Sequence, residues 1–461
     1  MGIGLVLLWA VSSLLLEPGW VGAVVLGALL LTAFHILVQR RPWRALLLRD
    51  TASFAHGWAG KLLVAAVLVA VPVAMVMVSV SGGRYGRYED DSWKALLMLV
   101  VLTASYAASR RLVLTVLIGA VTVAIVSWVL SPDLAVARTG DPTVLAHIDQ
   151  QARKGWLASN HAVAVAEIDL EAAQPVRLAG IGAHDTTPME VGSLTKAMTG
   201  LVIADAVARG EVRMDAPVAA YLPQMQGSPA GTVTLHELVT HTAGYAEFGT
   251  ATVRRAVWMA PLGRNFFTAD SAQMTEEARN QTLKGRGRYA YSTLGSATAG
   301  QVVAAAAHLS YPDLMRTRLF EPLGMSDTAI QVGSALVAGG RSQSGLPVQP
   351  WVMDAYAPGA AAVSTTRDLA KLATALLDGT APGMAALVPT TATDQSNMRI
   401  GSFWRTSTWV TGQTITHHAG QTSGYAAYLG LDRPRHKAVI VLSDVANDGS
   451  DLGGQLLVDR R

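Results

Sequence analysis

Five apolar segments, none containing Asp, Glu, Lys or Arg, fill most of the first 130 residues of this 461-residue chain. They run over 3–16, 20–38, 62–80, 95–108 and 112–130. This pattern divides the molecule in two and predicts an all-α transmembrane domain over 1–131. The second, third and fifth segments are long enough to cross a bilayer. The first and fourth are short and fit a tilted, locally thinned or re-entrant path. The first does not read as a cleaved signal peptide, because it lacks a basic n-region and runs into a second apolar segment. Trp20, Trp43, Trp58, Trp93 and Trp128 lie at or near segment ends, where amphipathic rings favour the interface. Arg40, Arg41, Arg44, Arg49 and Lys61 fall in the second loop, and Arg110 and Arg111 fall between the last two segments. Both basic stretches are expected on the cytoplasmic side. Five crossings that start inside then place everything after residue 130 outside. The expectation is a multi-pass protein of the cell membrane with an extracytoplasmic domain. His35, inside the second segment, reads as an interface or packing histidine and not as part of a proton path.

The remaining residues have ordinary globular composition. The net charge of +3 is small, and the basic residues flank apolar runs without forming a patch, which excludes nucleic acid as a partner. There are no cysteines, hence no disulfide, thiolate metal site or cysteine nucleophile. Residues 132–141 read as a linker and 142–461 as one domain. Helices are expected over 142–158, 193–208, 234–240, 294–308 and 366–377. Strands are expected over 162–168, 175–181, 408–416, 426–431 and 438–443. The strands lie at both ends of the domain with a helical lobe inserted between them. This predicts an antiparallel sheet flanked by helices, an α/β (α+β) architecture.

Ser193-Leu194-Thr195-Lys196 places a hydroxyl and an amine on one face at the start of the second of these helices. A serine hydroxyl needs a neighbouring base to act as a nucleophile. Burial can lower a lysine pKa until it accepts a proton, and the helix N-terminus favours a developing alkoxide. Gly192 permits close approach of backbone and substrate. Tyr291, followed by Ser292 and Thr293, is a candidate proton shuttle. The run His417-His418-Ala419-Gly420-Gln421 reads as a stretch between two strands. There the backbone N–H of Gln421, with that of Ser193, could form an oxyanion hole. His418 offers a donor to the substrate or to Tyr291. No carboxylate or further histidine lies at metal-ligand spacing, so neither metal nor cofactor is expected.

Together these elements resemble the serine β-lactamase and penicillin-binding-protein superfamily, for which Ser-x-x-Lys is a signature. The similarity is to the branch of class C β-lactamases, D,D-carboxypeptidases, D-aminopeptidases and related esterases. It extends over about 145–450. It includes residues 189–196 (MEVGSLTK), 215–218 (DAPV), 221–223 (YLP), 238–244 (LVTHTAG), 320–325 (FEPLGM) and 364–369 (STTRDL). The resemblance implies a β-lactamase-like fold and an acylated nucleophile at Ser193, with Lys196 and Tyr291 together as general base and then general acid. It implies substrate and oxyanion contacts from Thr293, His418, Gly420 and Gln421, and a structural His241 beneath the site. Two departures stand out. Thr293 replaces the asparagine of the Tyr-x-Asn motif, and His418 replaces the lysine of Lys-Thr-Gly. Both point away from an antibiotic-resistance β-lactamase.

The expected function is hydrolysis of an amide or ester in a small-molecule or peptide substrate, cell-wall peptides among the candidates, with the lipid bilayer as the other partner. The competing reading is a non-catalytic or single-turnover membrane sensor that binds a cell-wall peptide or β-lactam. A third reading, a transporter with an accessory hydrolase, is opposed by the absence of Asp, Glu, Lys and Arg from the apolar segments.

Overall fold

The structure of the chain is a computed structural model that describes residues 134–153, 160–342, 346–409, 411–446 and 449–458. The five apolar segments expected to span a membrane lie outside the described residues. Among the described residues, no helix is long and apolar enough to cross a membrane.

In chain order the elements are β1 (Arg138–Gly140), α1 (Pro142–Arg153), β2 (Val163–Asp169), β3 (Val176–Ile181), β4 (Met189–Glu190), α2 (Leu194–Ala208), α3 (Leu235–Val239), α4 (Thr250–Met259), α5 (Ser271–Arg279), α6 (Thr293–Ala306) and α7 (Tyr311–Met315). They continue with β5 (Ala329–Ile330), α8 (Ala357–Ala360), β6 (Ala362–Ser364), α9 (Thr366–Asp378), β7 (Thr391–Ala392), β8 (Met398–Ile400), β9 (Arg405–Thr408), β10 (Thr414–Gln421), β11 (Ala426–Asp432), β12 (Lys437–Ser443) and α10 (Gly449–Val458). The main sheet has the order β1-β3-β2-β12-β11-β10-β9-β8-β7. Every neighbouring pair in it is antiparallel. The first strands and the last meet where β2 pairs with β12, with Ala166 opposite Ile440. The sheet thus closes from both ends of the domain, as the sequence pattern implies.

Side chains alternate across a strand, and here both faces are apolar. Ala164, Ala166, Ile168, Ala438, Ile440 and Leu442 enter one core with Leu194, Met198 and Leu201 of α2 and Leu369, Leu372 and Leu376 of α9. Val163, Val165, Val439 and Val441 enter a second core with Val144 and Ile148 of α1 and Leu452 and Leu456 of α10. A sheet buried on both faces needs helices on both sides. α2 is apolar nearly all round and buried along most of its length, as suits a helix that crosses the interior. α9 shows the opposite type, with a Thr365 cap at one end and the left-handed Gly379 at the other. α3 begins with a capping box between Thr234 and Glu237.

The structure corrects three expectations. The strand expected over 408–416 is two strands, because the chain turns between β9 and β10 at Gly412, whose φ is +80°. The histidine run lies within β10 itself and not between strands. Residues 138–140, read as linker, form β1 at the edge of the sheet. Elsewhere the helix expected over 142–158 is described as far as Arg153.

Candidate active site

A small second sheet, β4-β6-β5, fixes the approach to Ser193. β4 ends at Glu190, and Val191 N–H then donates to Ala362 O at 3.0 Å. Gly192 follows in the left-handed region, with φ +49°, where an L side chain is strained. Thr195 Oγ1 donates to Gly192 O at 2.7 Å and accepts from Ala362 N–H at 3.0 Å, fixing the turn to β6. Ser193 is the N-cap residue of α2. Its hydroxyl therefore lies at the positive end of a 15-residue helix.

β10 passes directly against this turn. A Cβ on Gly420 would lie 1.9 Å from Val191 O and 2.9 Å from Ser193 N. A Cβ on Gly192 would lie 2.7 Å from Gln421 N. Glycine is required on both sides of this contact. It brings the Gln421 backbone against the residue preceding Ser193, while the Gln421 side chain donates to Ala446 O at 3.0 Å.

Two groups converge on the serine. Lys196 Nζ lies 2.9 Å from Ser193 Oγ, and the Tyr291 hydroxyl donates to the same oxygen at 2.8 Å. Lys196 is fully buried, and its Nζ lies 4.9 Å from the Tyr291 ring centroid. Loss of hydration brings its pKa down to about 7; the exposed Glu247 opposes this and Arg405 adds to it. Desolvation pushes the Tyr291 phenol up to about 12, so it holds its proton at neutral pH. The amine can therefore be neutral while the phenol remains a donor.

Thr293 is buried at the start of α6, with its N–H on Glu247 O. Its methyl group faces Gly359, whose carbonyl accepts from Lys196 Nζ at 2.8 Å. A backbone carbonyl of α8 thus anchors the lysine in this chain. His418 is buried, with Nδ1 on Ala419 O at 2.5 Å and, among the described residues, no partner for Nε2. Burial, then Arg405 and Lys196, hold its pKa well below the ordinary imidazole value. Of the two acceptors expected for His418, substrate or Tyr291, the second is not engaged among the described residues: Nδ1–H donates to Ala419 O, which leaves the neutral ring no proton on Nε2 to give. His241 packs its ring 4.6 Å from that of Tyr291 and accepts from Ser292 N–H at 3.2 Å. It lies under the tyrosine and makes no bond to Ser193.

Sequence reasoning missed Gly359, Glu247 and Arg405. Arg405 lies on β9, with its guanidinium carbon 5.5 Å from the Tyr291 ring centroid and a buried Nε that has no partner among the described residues. It interacts with the Tyr289 hydroxyl. Among the described residues no carboxylate lies within ion-pair range of it. None of the three belongs to a short motif. The usable signal for Arg405 was a lone arginine beside Trp404 in an otherwise uncharged stretch.

The Beta-lactamase family model matches residues 144–457, and the chain belongs to that family. A beta-lactamase from Escherichia coli (strain K12) is 29% identical over 190 residues, covering 40% of this chain and 46% of the relative. Penicillin-binding protein 4 from Amycolatopsis lactamdurans is 30% identical over 149 residues, 32% of this chain and 37% of the relative. The chain therefore spans less than half the length of these curated relatives. A solved beta-lactamase/D-alanine carboxypeptidase from Pseudomonas syringae shares the fold, with a TM-score of 0.58 and 15% identity. It covers 69% of this chain and 99% of its own.

Proposed function

We propose that this chain is a membrane-anchored serine hydrolase that opens an amide or ester through an acyl-enzyme at Ser193, with its catalytic domain on the extracytoplasmic side. The observation that carries the reading is the bridging of Ser193 Oγ by Lys196 Nζ at 2.9 Å and the Tyr291 hydroxyl at 2.8 Å. In the first step Ser193 Oγ attacks the substrate carbonyl carbon and its proton passes to neutral Lys196. The backbone N–H groups of Ser193 and Gln421 receive the developing oxyanion. A proton delivered through Tyr291 goes to the departing nitrogen or oxygen as its bond to carbon breaks. In the second step water attacks the ester at Ser193. Lys196 and Tyr291 take the water proton and return one to Ser193 Oγ, which releases the acid. The anchoring rests on the five uncharged apolar segments before residue 131, and the orientation on the basic loops.

The reading of substrate class is supported by Arg405, which makes no ion pair among the described residues. His418 is neutral and cannot supply the charge of the missing lysine. The Arg405 guanidinium is the available receptor for a carboxylate. This favours peptides with a free C-terminal carboxylate or β-lactams over neutral esters. Intact-mass analysis of the full chain after mixing with a slow acylating substrate tests the reading, with the adduct mapped by peptide digestion. An adduct on the peptide containing Ser193 is expected; an adduct elsewhere, or none on folded protein, contradicts it. For Arg405→Ala, KM for a peptide ending in D-alanine should rise about 10- to 100-fold, the loss expected for a charge-assisted bond. KM for the corresponding C-terminal amide should change little.

A further inference from the structure

α4 exposes the wrong face for a helix in water. Its inward side is built normally. Thr252 and Ala256 are buried, and Thr252 is bonded to Glu277. The outward side should be polar. Instead Val253 is 44% exposed, Trp258 66% and, in the turn that follows, Leu262 71%. No acidic residue occurs between Glu247 and Asp270, whereas Arg254, Arg255 and Arg264 do. Arg255 is used internally, on Phe266 O and Thr252 Oγ1. Arg254 and Arg264 are exposed, and among the described residues neither makes an ion pair. An exposed Trp and Leu flanked by unpaired arginines is complementary to an anionic lipid surface: ring and aliphatic groups in the headgroup boundary, guanidinium groups on the phosphates.

We infer that α4 and the turn through Arg264 dock on the surface of an anionic bilayer. This rests on the membrane anchoring proposed above, which holds the domain close to lipid. It deepens that reading because α4 starts three residues after Glu247, whose charge acts on Lys196 and whose carbonyl caps α6 at Thr293. Docking there brings the edge of the candidate site to the membrane surface. The chain has no cysteine, so Trp258→Cys gives a single labelling site. The full chain is labelled there with an environment-sensitive nitrobenzoxadiazole dye and reconstituted in phosphatidylglycerol vesicles containing spin-labelled lipid. A blue shift and quenching are expected. The Arg254→Glu/Arg264→Glu pair, both exposed, should reverse them, each arginine accounting for about a fivefold change in the docking equilibrium. Unshifted, unquenched dye on a chain that floats with the vesicles overturns the docking alone. A chain that does not float overturns docking and anchoring together. A shift that depends on protein concentration in lipid-free detergent assigns the face to a second copy and overturns the lipid assignment.

Discussion

At the scale of single residues the account stands on the protonation of Lys196. Its pKa is brought down to about 7, chiefly by burial, so the base form is populated as pH rises through that value. The acylation rate should rise over the same range. Arg405 contributes to the lowering, and removing a nearby cation favours the charged amine. Arg405→Ala should therefore move the rising limb to higher pH, which a pH–rate profile would reveal; a limb that stays put contradicts the electrostatic argument. The same burial costs stability. Between about 7 and the ordinary lysine value the unfolded chain holds one more proton than the folded one, so the stability contribution of this group rises with pH. Below that window both states hold the proton and the penalty is fully present. Lys196→Met should abolish acylation and be more stable than wild type near neutrality. Its advantage should shrink by about 1.4 kcal/mol per pH unit across the window, which urea unfolding at several pH values would show. Ser193, Lys196 and Tyr291 were legible as neighbours because each sits in a short motif with its own local geometry. Arg405, Gly359 and Glu247 were not, because they reach the site from β9, from α8 and from the loop before α4, and only tertiary packing brings them together.

At the scale of elements the site depends on one backbone contact. β10 can lie against the turn before α2 only because Gly192 and Gly420 carry no side chains. Gly420→Ala places a methyl group on Val191 O, and the neighbours here are backbone, which cannot yield as a side chain can. A loss of about 1–3 kcal/mol in stability is expected, with a larger proportional loss of acylation because the Gln421 amide moves away from Ser193. Equal losses in the two would mean that the contact serves only to hold the fold. Sequence patterning recovered β2, β3, β11 and β12, since alternating and apolar strands bounded by turn residues are local signals, and missed the short β7 and β8. It failed over 408–416, where threonines on both sides of Gly412 extend the β-like pattern through a tight turn. It failed again at 138–140, because a three-residue edge strand has no period to detect and is defined by its partner β3.

At the scale of the whole molecule, the sheet built from both ends of the domain was legible from the order of strand and helix patterns. The lobe inserted between them brings Tyr291 on its polypeptide to a serine 98 residues earlier. The proposed topology has its own test: a reporter fused after Arg461 should be active only when exported, and cytoplasmic activity would refute an outward-facing domain. The central claim, an acyl-enzyme at Ser193 that turns over, is tested most directly by time-resolved labelling. Membranes carrying the wild-type chain or Ser193→Ala would be mixed with a fluorescent penicillin and, separately, a fluorescent phosphonate, and the bound dye followed after the free probe is removed. The account predicts labelling of wild type only, at least about 10³-fold faster than the variant, and a penicillin label that decays as water releases the acyl group. Equal labelling of the Ser193→Ala chain would contradict the nucleophile, and a penicillin label that never decays would contradict turnover.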